Sequence, residues 1–125
     1  MKVTNLRLLT NNYQTMFHFY NDKLKLECMY GDLDSNYADF KFGDIYLSLF
    51  NKKAMMSVLN FKENDEFKNF QQAIIIKVDD LHATYDYVSK ITNIITKPTE
   101  RIEWGINCFH IVDPDENILE FYTDI

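Results

Sequence analysis

Glycine, proline and cysteine are scarce in this sequence. Its 125 residues include only three Gly and two Pro, and so few turn-forming residues predict that most of the chain forms regular helices and strands. The two cysteines, Cys28 and Cys108, are too few for a disulfide scaffold, so free thiols in a reducing cytoplasm are expected. No apolar run approaches the length of a membrane span, and the N-terminus lacks a signal-peptide pattern. We therefore expect a cytoplasmic protein without a membrane partner.

Positive charge is also scarce. Lys and Arg number 13 against 19 Asp and Glu, which gives a net charge of −6. This balance argues against a nucleic-acid partner, because such proteins need a basic surface, and it is compatible with a cationic ligand. The composition is 46% hydrophobic and 15% aromatic, which is enough for a packed core in a single domain over residues 1–125.

What the sequence does contain is an internal repeat. The segment Asn5–Tyr20 aligns without gaps on Ala73–Val88. In both copies a strand is followed by a polar pair and then by a helix with apolar residues at helical spacing. The first copy has strand Val3–Leu9, caps Asn11 and Asn12 and helix Tyr13–Asn21, and the second has strand Ile74–Val78, caps Asp79 and Asp80 and helix Leu81–Ile91. The repeat predicts a duplicated structural unit.

Three strand-like runs follow each predicted helix. They are Leu26–Gly31, Tyr37–Phe42 and Ile45–Phe50 in the first half, and Ile94–Thr99, Ile106–Val112 and Ile118–Tyr122 in the second. A tight hairpin is expected at Phe42-Gly43-Asp44, and a turn at residues 113–117, where Pro and Asn suit turn positions. The sequence therefore predicts an α+β fold of two βαβββ modules, about 1–51 and 72–125, joined by a connector over 52–71.

The connector is polar and contains scattered apolar residues. A short helix is expected over Lys53–Leu59. Connectors this long are often functional or cover a site. The alternative, which we favour slightly, is a strap whose apolar residues pack on the outside of the sheet. The apolar residues in question are Met55, Met56, Phe61, Phe67 and Phe70.

Two stretches resemble a known superfamily. Trp104-Gly105, Phe109, Asp113-Pro114-Asp115, Asn117 and Glu120-Phe121 match a WG…F..DPDGN..E pattern, with Glu116 in place of Gly. Phe19-Tyr20 and Leu24-Lys25-Leu26-Glu27 match an FY…LGLE pattern, with Lys25 in place of Gly. The sequence thus resembles the vicinal-oxygen-chelate superfamily, which includes glyoxalase I, bleomycin-resistance proteins, fosfomycin-resistance thiol transferases and extradiol dioxygenases.

The resemblance implies a cupped mixed sheet with a site on its inner face. Metal enzymes of the superfamily carry one ligand on the first strand and one on the last strand of each module, and we place these positions at Asn5, Leu47, Ala73 and Glu120. Leu47 and Ala73 have no donor atom and Asn5 is a weak ligand, whereas a metal enzyme needs three or more good ligands. We therefore expect no metal cofactor. A slipped register would bring Gln71 or Gln72 into the site.

Glu120 is a carboxylate inside an apolar strand. Strand alternation puts Glu120 on one face with Ile118 and Tyr122, and Leu119 and Phe121 on the other. An isolated buried carboxylate is costly, so a partner is expected. In the cup that partner is Arg7 or Lys77, which follow Asn5 and Ala73 on the inner face. Two hypotheses stay open and are compatible: Glu120 belongs to a structural ion pair, or it anchors a ligand.

The function that these features favour is binding of a small organic molecule without the metal site. The candidate ligand-binding residues are Glu120, Asn5, Arg7, Lys77, Tyr122 and Trp104, and further aromatic residues available for a cleft are Tyr30, Tyr37 and Tyr46. The alternative is a metal-dependent lyase, isomerase or dioxygenase with a degenerate or shifted metal site. A Cys108/His110 catalytic pair is not favoured, because residues two apart on a strand are separated by nearly 7 Å. The resemblance also implies a homodimer.

Overall fold

A computed structural model of the chain describes residues 1–62, 70–112 and 117–125. The elements are β1 (Lys2–Thr10), α1 (Tyr13–His18), β2 (Cys28–Gly31), β3 (Tyr37–Phe42), β4 (Ile45–Asn51), α2 (Lys52–Val58), β5 (Gln72–Lys77), α3 (Leu81–Ser89), β6 (Ile94–Arg101), β7 (Ile106–Val112) and β8 (Ile118–Asp124). A π-helical turn follows α1 at Phe19–Lys23, and a 3-10 turn precedes β7 at Ile102–Trp104. In the described part of the chain, no helix is long and apolar enough to cross a membrane. The predicted mixed α+β fold is confirmed.

The eight strands form one sheet in the order β2-β3-β4-β1-β5-β8-β7-β6. Strand β1 lies parallel to β4, and β5 lies parallel to β8. The two βαβββ units meet where β1 runs antiparallel to β5. Both units of one chain therefore share a single curled sheet.

The two module helices begin differently. The side chain of Asp80 accepts a hydrogen bond from the backbone N–H of Ala83 at 3.0 Å and so caps α3, as predicted. Asn12 precedes α1 but makes no side-chain capping bond, so that cap prediction is wrong. The hydroxyl of Thr10 instead accepts a bond from the Asn12 N–H at 2.8 Å, which draws the chain into a local turn before the helix.

Each module packs its helix on the outer face of the sheet. The cluster under α1 consists of Tyr13, Phe17, Ala38, Phe40 and Leu49, and the cluster under α3 includes Leu81, Val88, Phe109 and Phe121. Phe109 and Phe121 stack with ring centroids 5.1 Å apart. Because alternate residues of a strand face opposite sides, burial of Phe121 under α3 directs Glu120 to the inner face, as the sequence predicted.

In the described part of the connector, α2 and Phe70 pack on the inner face, which corrects the expectation of an outer strap. The predicted short helix is present as α2. Its Met55 packs with Leu59 and Phe70 against Ala73 and Ile75 of β5, and all five side chains are buried. The inner face is apolar at this end of the sheet, where Leu9, Ile75 and Ile118 are buried in the same cluster, so it needs an apolar cover. Phe67 lies outside the described residues.

Candidate ligand-binding cleft

The inner face of the sheet borders a cleft with a volume of about 560 Å³. Five aromatic side chains line it, namely Tyr30, Tyr37, Phe50, Trp104 and Tyr122. Four acidic side chains also line it, namely Asp39, Glu103, Glu120 and Asp124. Arg7 is the basic residue among the lining side chains that the structure describes. The cleft thus combines aromatic walls with an excess of negative charge.

Five of the six predicted site residues lie in this cleft. They are Asn5, Arg7, Trp104, Glu120 and Tyr122. Lys77 does not join them, because its Nζ pairs with the Asp124 carboxylate at 2.5 Å, where both side chains are largely exposed. Its position near the end of β5 carries the long side chain to the rim. Of the further aromatic residues, Tyr30 and Tyr37 line the cleft, whereas Tyr46 is 40% exposed and does not.

The strand register corrects one predicted position. Arg7 of β1 lies opposite Ser48 of β4, and Ile75 of β5 lies opposite Glu120 of β8. The residue equivalent to Glu120 in the first module is therefore Ser48, not Leu47. Leu47 is one residue away, and a shift of one residue in a strand moves a side chain to the other face of the sheet.

Glu120 forms a buried ion pair with Arg7. The two guanidinium nitrogens Nη1 and Nη2 lie 3.2 Å and 3.4 Å from Oε1 and Oε2 of the carboxylate. The side chain of Glu120 is 0% exposed and that of Arg7 is 7% exposed. A bidentate contact of this kind is a strong form of the arginine–carboxylate interaction. Of the two predicted partners, Arg7 is the one that neutralises Glu120.

His110 is a second partner of Glu120 that the sequence patterns did not predict. Its Nε2 lies 2.8 Å from Oε1 of Glu120, and its Nδ1 lies 2.6 Å from the hydroxyl of Thr96. His110 lies directly opposite Glu120 in the β7–β8 hairpin. A sequence signal was available, because the two residues are equally distant from the predicted turn at residues 113–117, most of which lies outside the described residues.

These contacts control the protonation of the buried pair. Burial acts to raise the pKa of Glu120, but the charge of Arg7 and the hydrogen bond from His110 outweigh it and lower the pKa to about 2. Burial likewise acts to lower the pKa of Arg7, but the adjacent Glu120 raises it above its ordinary value. Both groups are therefore charged at neutral pH.

Aromatic rings surround the Arg7 guanidinium. Its central carbon lies 5.7 Å from the ring centroids of Tyr37 and Phe50, and 5.9 Å from that of Trp104. Its Nη1 also contacts the sulfur of Met55 at 3.7 Å. The buried Nε has no hydrogen-bond partner among the described residues, and contact of a cation with aromatic faces offsets part of that cost. Arg7 is thus held rigidly at the floor of the cleft.

Asp39 organises a separate polar network in the first module. Its Oδ1 accepts hydrogen bonds from the hydroxyl of Tyr37 at 2.7 Å, from Ser48 Oγ at 2.5 Å and from Asn5 Nδ2 at 3.4 Å. Asn5 Nδ2 also donates to Ser48 Oγ at 2.9 Å. Burial raises the pKa of Tyr37 to about 12, although the nearby Arg7 acts in the opposite direction. Tyr37 is therefore a neutral donor to Asp39.

The residues at the superfamily's metal positions do not fit a metal ion. Ala73 on β5 has no donor atom, Asn5 and Ser48 offer only weak, uncharged oxygen donors, and the Glu120 carboxylate is already bound by Arg7. A different donor set is present in the described chain, because ligand atoms of Cys108, His110 and Glu120 lie within 4.8 Å of one another.

That second donor set is also unsuited to a metal. Arg7 Nη1 lies 3.2 Å from the same Glu120 oxygen that His110 contacts, so a divalent ion would meet a fixed positive charge. Burial, together with the Glu120 charge, raises the pKa of Cys108 to about 11, whereas a metal ligand must be the thiolate. Binding an ion here would require that Arg7 leave its aromatic surroundings.

Comparisons with known proteins identify the family. The model of the Glyoxalase/Bleomycin resistance protein/Dioxygenase superfamily matches residues 2–121. The uncharacterized protein YraH of Bacillus subtilis (strain 168) is 30% identical over 125 residues, which cover 98% of each chain. A superfamily member from Vibrio splendidus 12B01 has a similar structure, with a TM-score of 0.72 and 17% identity over 98% of each chain.

Another similar structure is that of Streptomyces coelicolor methylmalonyl-CoA epimerase, with a TM-score of 0.67 and 14% identity over 99% of this chain and 94% of that chain. Likenesses at such low identity show the fold alone, whereas the family match extends from β1 into β8. The chain belongs to the glyoxalase/bleomycin resistance protein/dioxygenase superfamily, as the resemblance of its sequence motifs implied.

Proposed function

We propose that this protein binds a small organic compound in the cleft without a metal ion. The observation that carries the proposal is the position of Arg7, which supplies from the chain itself the positive charge that balances Glu120. A carboxylate paired in this way is not available to a metal ion. The cleft beside the pair remains open, and its volume of about 560 Å³ lies in the usual range for small-molecule pockets.

The walls of the cleft suit a flat compound. Phe50 and Trp104 meet edge to face at 6.1 Å, and Tyr37 meets Phe50 in the same way at 5.5 Å. Aromatic side chains bind planar ligands through large apolar contact at low conformational cost. The Arg7–Glu120 pair forms a floor with no net charge, so in this proposal Glu120 supports the site and does not itself anchor the ligand.

Elemental analysis of the purified protein tests the metal-free part of the proposal. We expect far less than one zinc, nickel, manganese or iron per chain after purification without chelators. Close to one metal ion per chain, lost in the Glu120→Ala variant, would contradict the proposal.

Trp104 provides a direct test of ligand binding. It is the single tryptophan of the chain and it lines the cleft, so its fluorescence reports what enters. Compounds that raise the melting temperature in a thermal-shift screen should also change Trp104 emission in a saturable titration. Compounds that stabilise the protein without any effect on Trp104 would place their binding outside the cleft.

The second candidate function is a metal-dependent lyase, isomerase or dioxygenase with a shifted metal site, and the proximity of Cys108, His110 and Glu120 is the observation that keeps it open. This alternative requires that Arg7 move away from Glu120. A stoichiometric metal ion that is lost in both Cys108→Ser and His110→Ala would support it, because these two residues lie away from the superfamily's usual ligand positions.

A further inference from the structure

Asp39 differs from the other acidic residues of the cleft in its partners. Glu120 is neutralised by Arg7, and Asp124 is paired with Lys77. Among the residues that the structure describes, no Lys, Arg or His nitrogen lies within 4.0 Å of the Asp39 carboxylate. Its side chain is half-buried, whereas Glu103 at the mouth is exposed. Asp39 is therefore the inward carboxylate that has no compensating cation.

The Asp39 carboxylate is also held in a fixed orientation. Hydrogen bonds from Tyr37, Ser48 and Asn5 all end on Oδ1. No described residue donates a bond to Oδ2. A carboxylate anchored through one oxygen in this way presents the other oxygen in a defined direction without further loss of side-chain freedom, which is the arrangement expected of a preorganised binding group.

Aromatic rings continue directly from Asp39. The Tyr37 ring that donates to Asp39 meets the Tyr30 ring at 6.1 Å and the Phe50 ring at 5.5 Å. The Arg7 guanidinium already lies over the Tyr37 and Phe50 rings, whereas Tyr30 lines the cleft with no described Lys or Arg over its ring, so its face can attract a cation or a planar group. The positive charge of Arg7 does not oppose this attraction strongly, since Glu120 contacts it with both carboxylate oxygens.

We propose that Asp39 anchors the ligand of the cleft, and that this ligand is a flat compound with a cationic nitrogen. The ring of the ligand stacks on the aromatic wall and the nitrogen meets Oδ2 of Asp39. Exposed Glu103 adds negative charge at the mouth, so the cleft disfavours carboxylates. The inference rests on the proposed function, because it names the class of compound that the same cleft binds.

Three probes of nearly one shape test the inference by calorimetric titration: naphthylmethylammonium, naphthylmethanol and naphthoate. We expect the ammonium compound to bind wild-type protein about tenfold or more tightly than the alcohol, because a hydrogen bond to a charged group exceeds a neutral one by about that factor, and naphthoate to bind most weakly. The preference for the ammonium compound should shrink as salt is added, because salt screens charges that are partly exposed.

Asp39→Asn keeps the size of the side chain and removes its charge. We expect it to abolish the preference for the ammonium compound while the alcohol binds as before. Asp44→Asn is the matched control, because Asp44 is exposed in the β3–β4 turn, does not line the cleft and changes the net charge equally. A preference that persists in Asp39→Asn, or is lost equally in Asp44→Asn, would overturn the role of Asp39.

The outcomes separate this inference from the proposed function. Equal affinity of all three probes for the wild-type protein, or tightest binding of naphthoate, would overturn the inference and leave metal-free binding in place. Failure of all three probes to bind, with the fold intact by circular dichroism, would contradict both. If Asp39→Asn does not fold, the comparison of the ammonium compound with the alcohol in the wild-type protein still decides the charge preference.

Discussion

The two modules share a backbone plan but distribute their charges differently. In each module a polar residue of the third strand lies opposite a polar residue of the fourth strand. The first module has Asp39 opposite Ser48, and the second has His110 opposite Glu120. The carboxylate therefore lies on the third strand in one module and on the fourth in the other, although both pairs are hydrogen-bonded across the sheet.

A second difference concerns the cation. Arg7 and Ile75 occupy equivalent positions, because they lie opposite the equivalent residues Ser48 and Glu120. Arg7 reaches across the junction of the modules and neutralises Glu120. Ile75 is apolar and supplies no positive charge to Asp39. The second module's carboxylate is thereby enclosed in a buried network, whereas no described Lys, Arg or His pairs with the first module's carboxylate. The two modules thus share a backbone plan and differ in the arrangement of their charged side chains.

Removal of the Arg7 charge should have the largest effect on the stability of the protein. Arg7→Met leaves Glu120 buried with no positive charge beside it, and breaking a buried ion pair from one side typically costs about 3–5 kcal/mol. Met has a similar length and low polarity, so the loss reports charge more than volume. We expect a decrease of that order in the free energy of unfolding, measured by urea denaturation.

The double variant Arg7→Met/Glu120→Gln is the control for this prediction. Removing both charges should recover a large part of the lost stability, because no uncompensated ion remains. Ser48→Ala, at the position of the first module that is equivalent to Glu120, removes no charge and should lower the free energy of unfolding clearly less than Arg7→Met. Additive effects of the Arg7 and Glu120 substitutions would show that the pair is not energetically coupled.

The pH dependence of stability should also distinguish the modules. Glu120 has a folded-state pKa of about 2, below its ordinary value of 4.5. A group with a lowered folded-state pKa stabilises the protein fully above its unfolded-state pKa and loses that contribution as pH falls through the folded-state value. We expect the Glu120 contribution to be complete above about pH 5 and to disappear progressively toward pH 2.

Denaturation at a series of pH values measures this contribution as the difference between wild type and Glu120→Gln. The difference should shrink as the pH falls below about 5. Asp34→Asn, an exposed carboxylate of the first module, should give a curve close to that of wild type. A gap between wild type and Glu120→Gln that stays constant down to pH 2 would contradict the lowered pKa.

Local patterns predicted the elements of the fold, whereas contacts between strands determined the site. The gapless match of Asn5–Tyr20 with Ala73–Val88 identified strand, turn and helix correctly, because residue spacing along one segment reveals which face is buried. The choice between Leu47 and Ser48 depended on lateral register, which no spacing within β4 contains. The pairing of His110 with Glu120 also lies between two strands, and only the equal distance of the two residues from the predicted turn, not the spacing within β7, could have indicated it.

The predicted face for the connector was wrong for a third reason. A mixture of polar and apolar residues shows that a segment covers something, but it does not show which face of the sheet lacks cover. On the inner face, Met55 is buried in one apolar cluster with Ala73 and Ile75 of β5. Such a complementary fit arises only after both elements are placed in three dimensions.

The smallest expected effect concerns backbone strain, which also differs between the modules. Lys25, Asn36 and Asn60 have positive φ angles, and no non-glycine residue described beyond Asn60 does. Lys25 has φ 61°, is exposed and stands where the superfamily motif has Gly. A residue with a Cβ pays roughly 1 kcal/mol for this left-handed conformation. Lys25→Gly should therefore raise the free energy of unfolding by up to about 1 kcal/mol.

Urea denaturation of Lys25→Gly beside Lys90→Gly tests whether that strain is real. Lys90 follows α3 in the second module with φ −84°, a right-handed conformation that any residue adopts. Glycine there gains nothing in the folded state and increases the freedom of the unfolded chain, so Lys90→Gly should be slightly destabilising. If Lys25→Gly raises the free energy of unfolding and Lys90→Gly lowers it, the strain lies in the first module. Destabilisation by both would mean that Lys25 makes contacts that offset its conformation, and the two modules would then be equally relaxed after their helices.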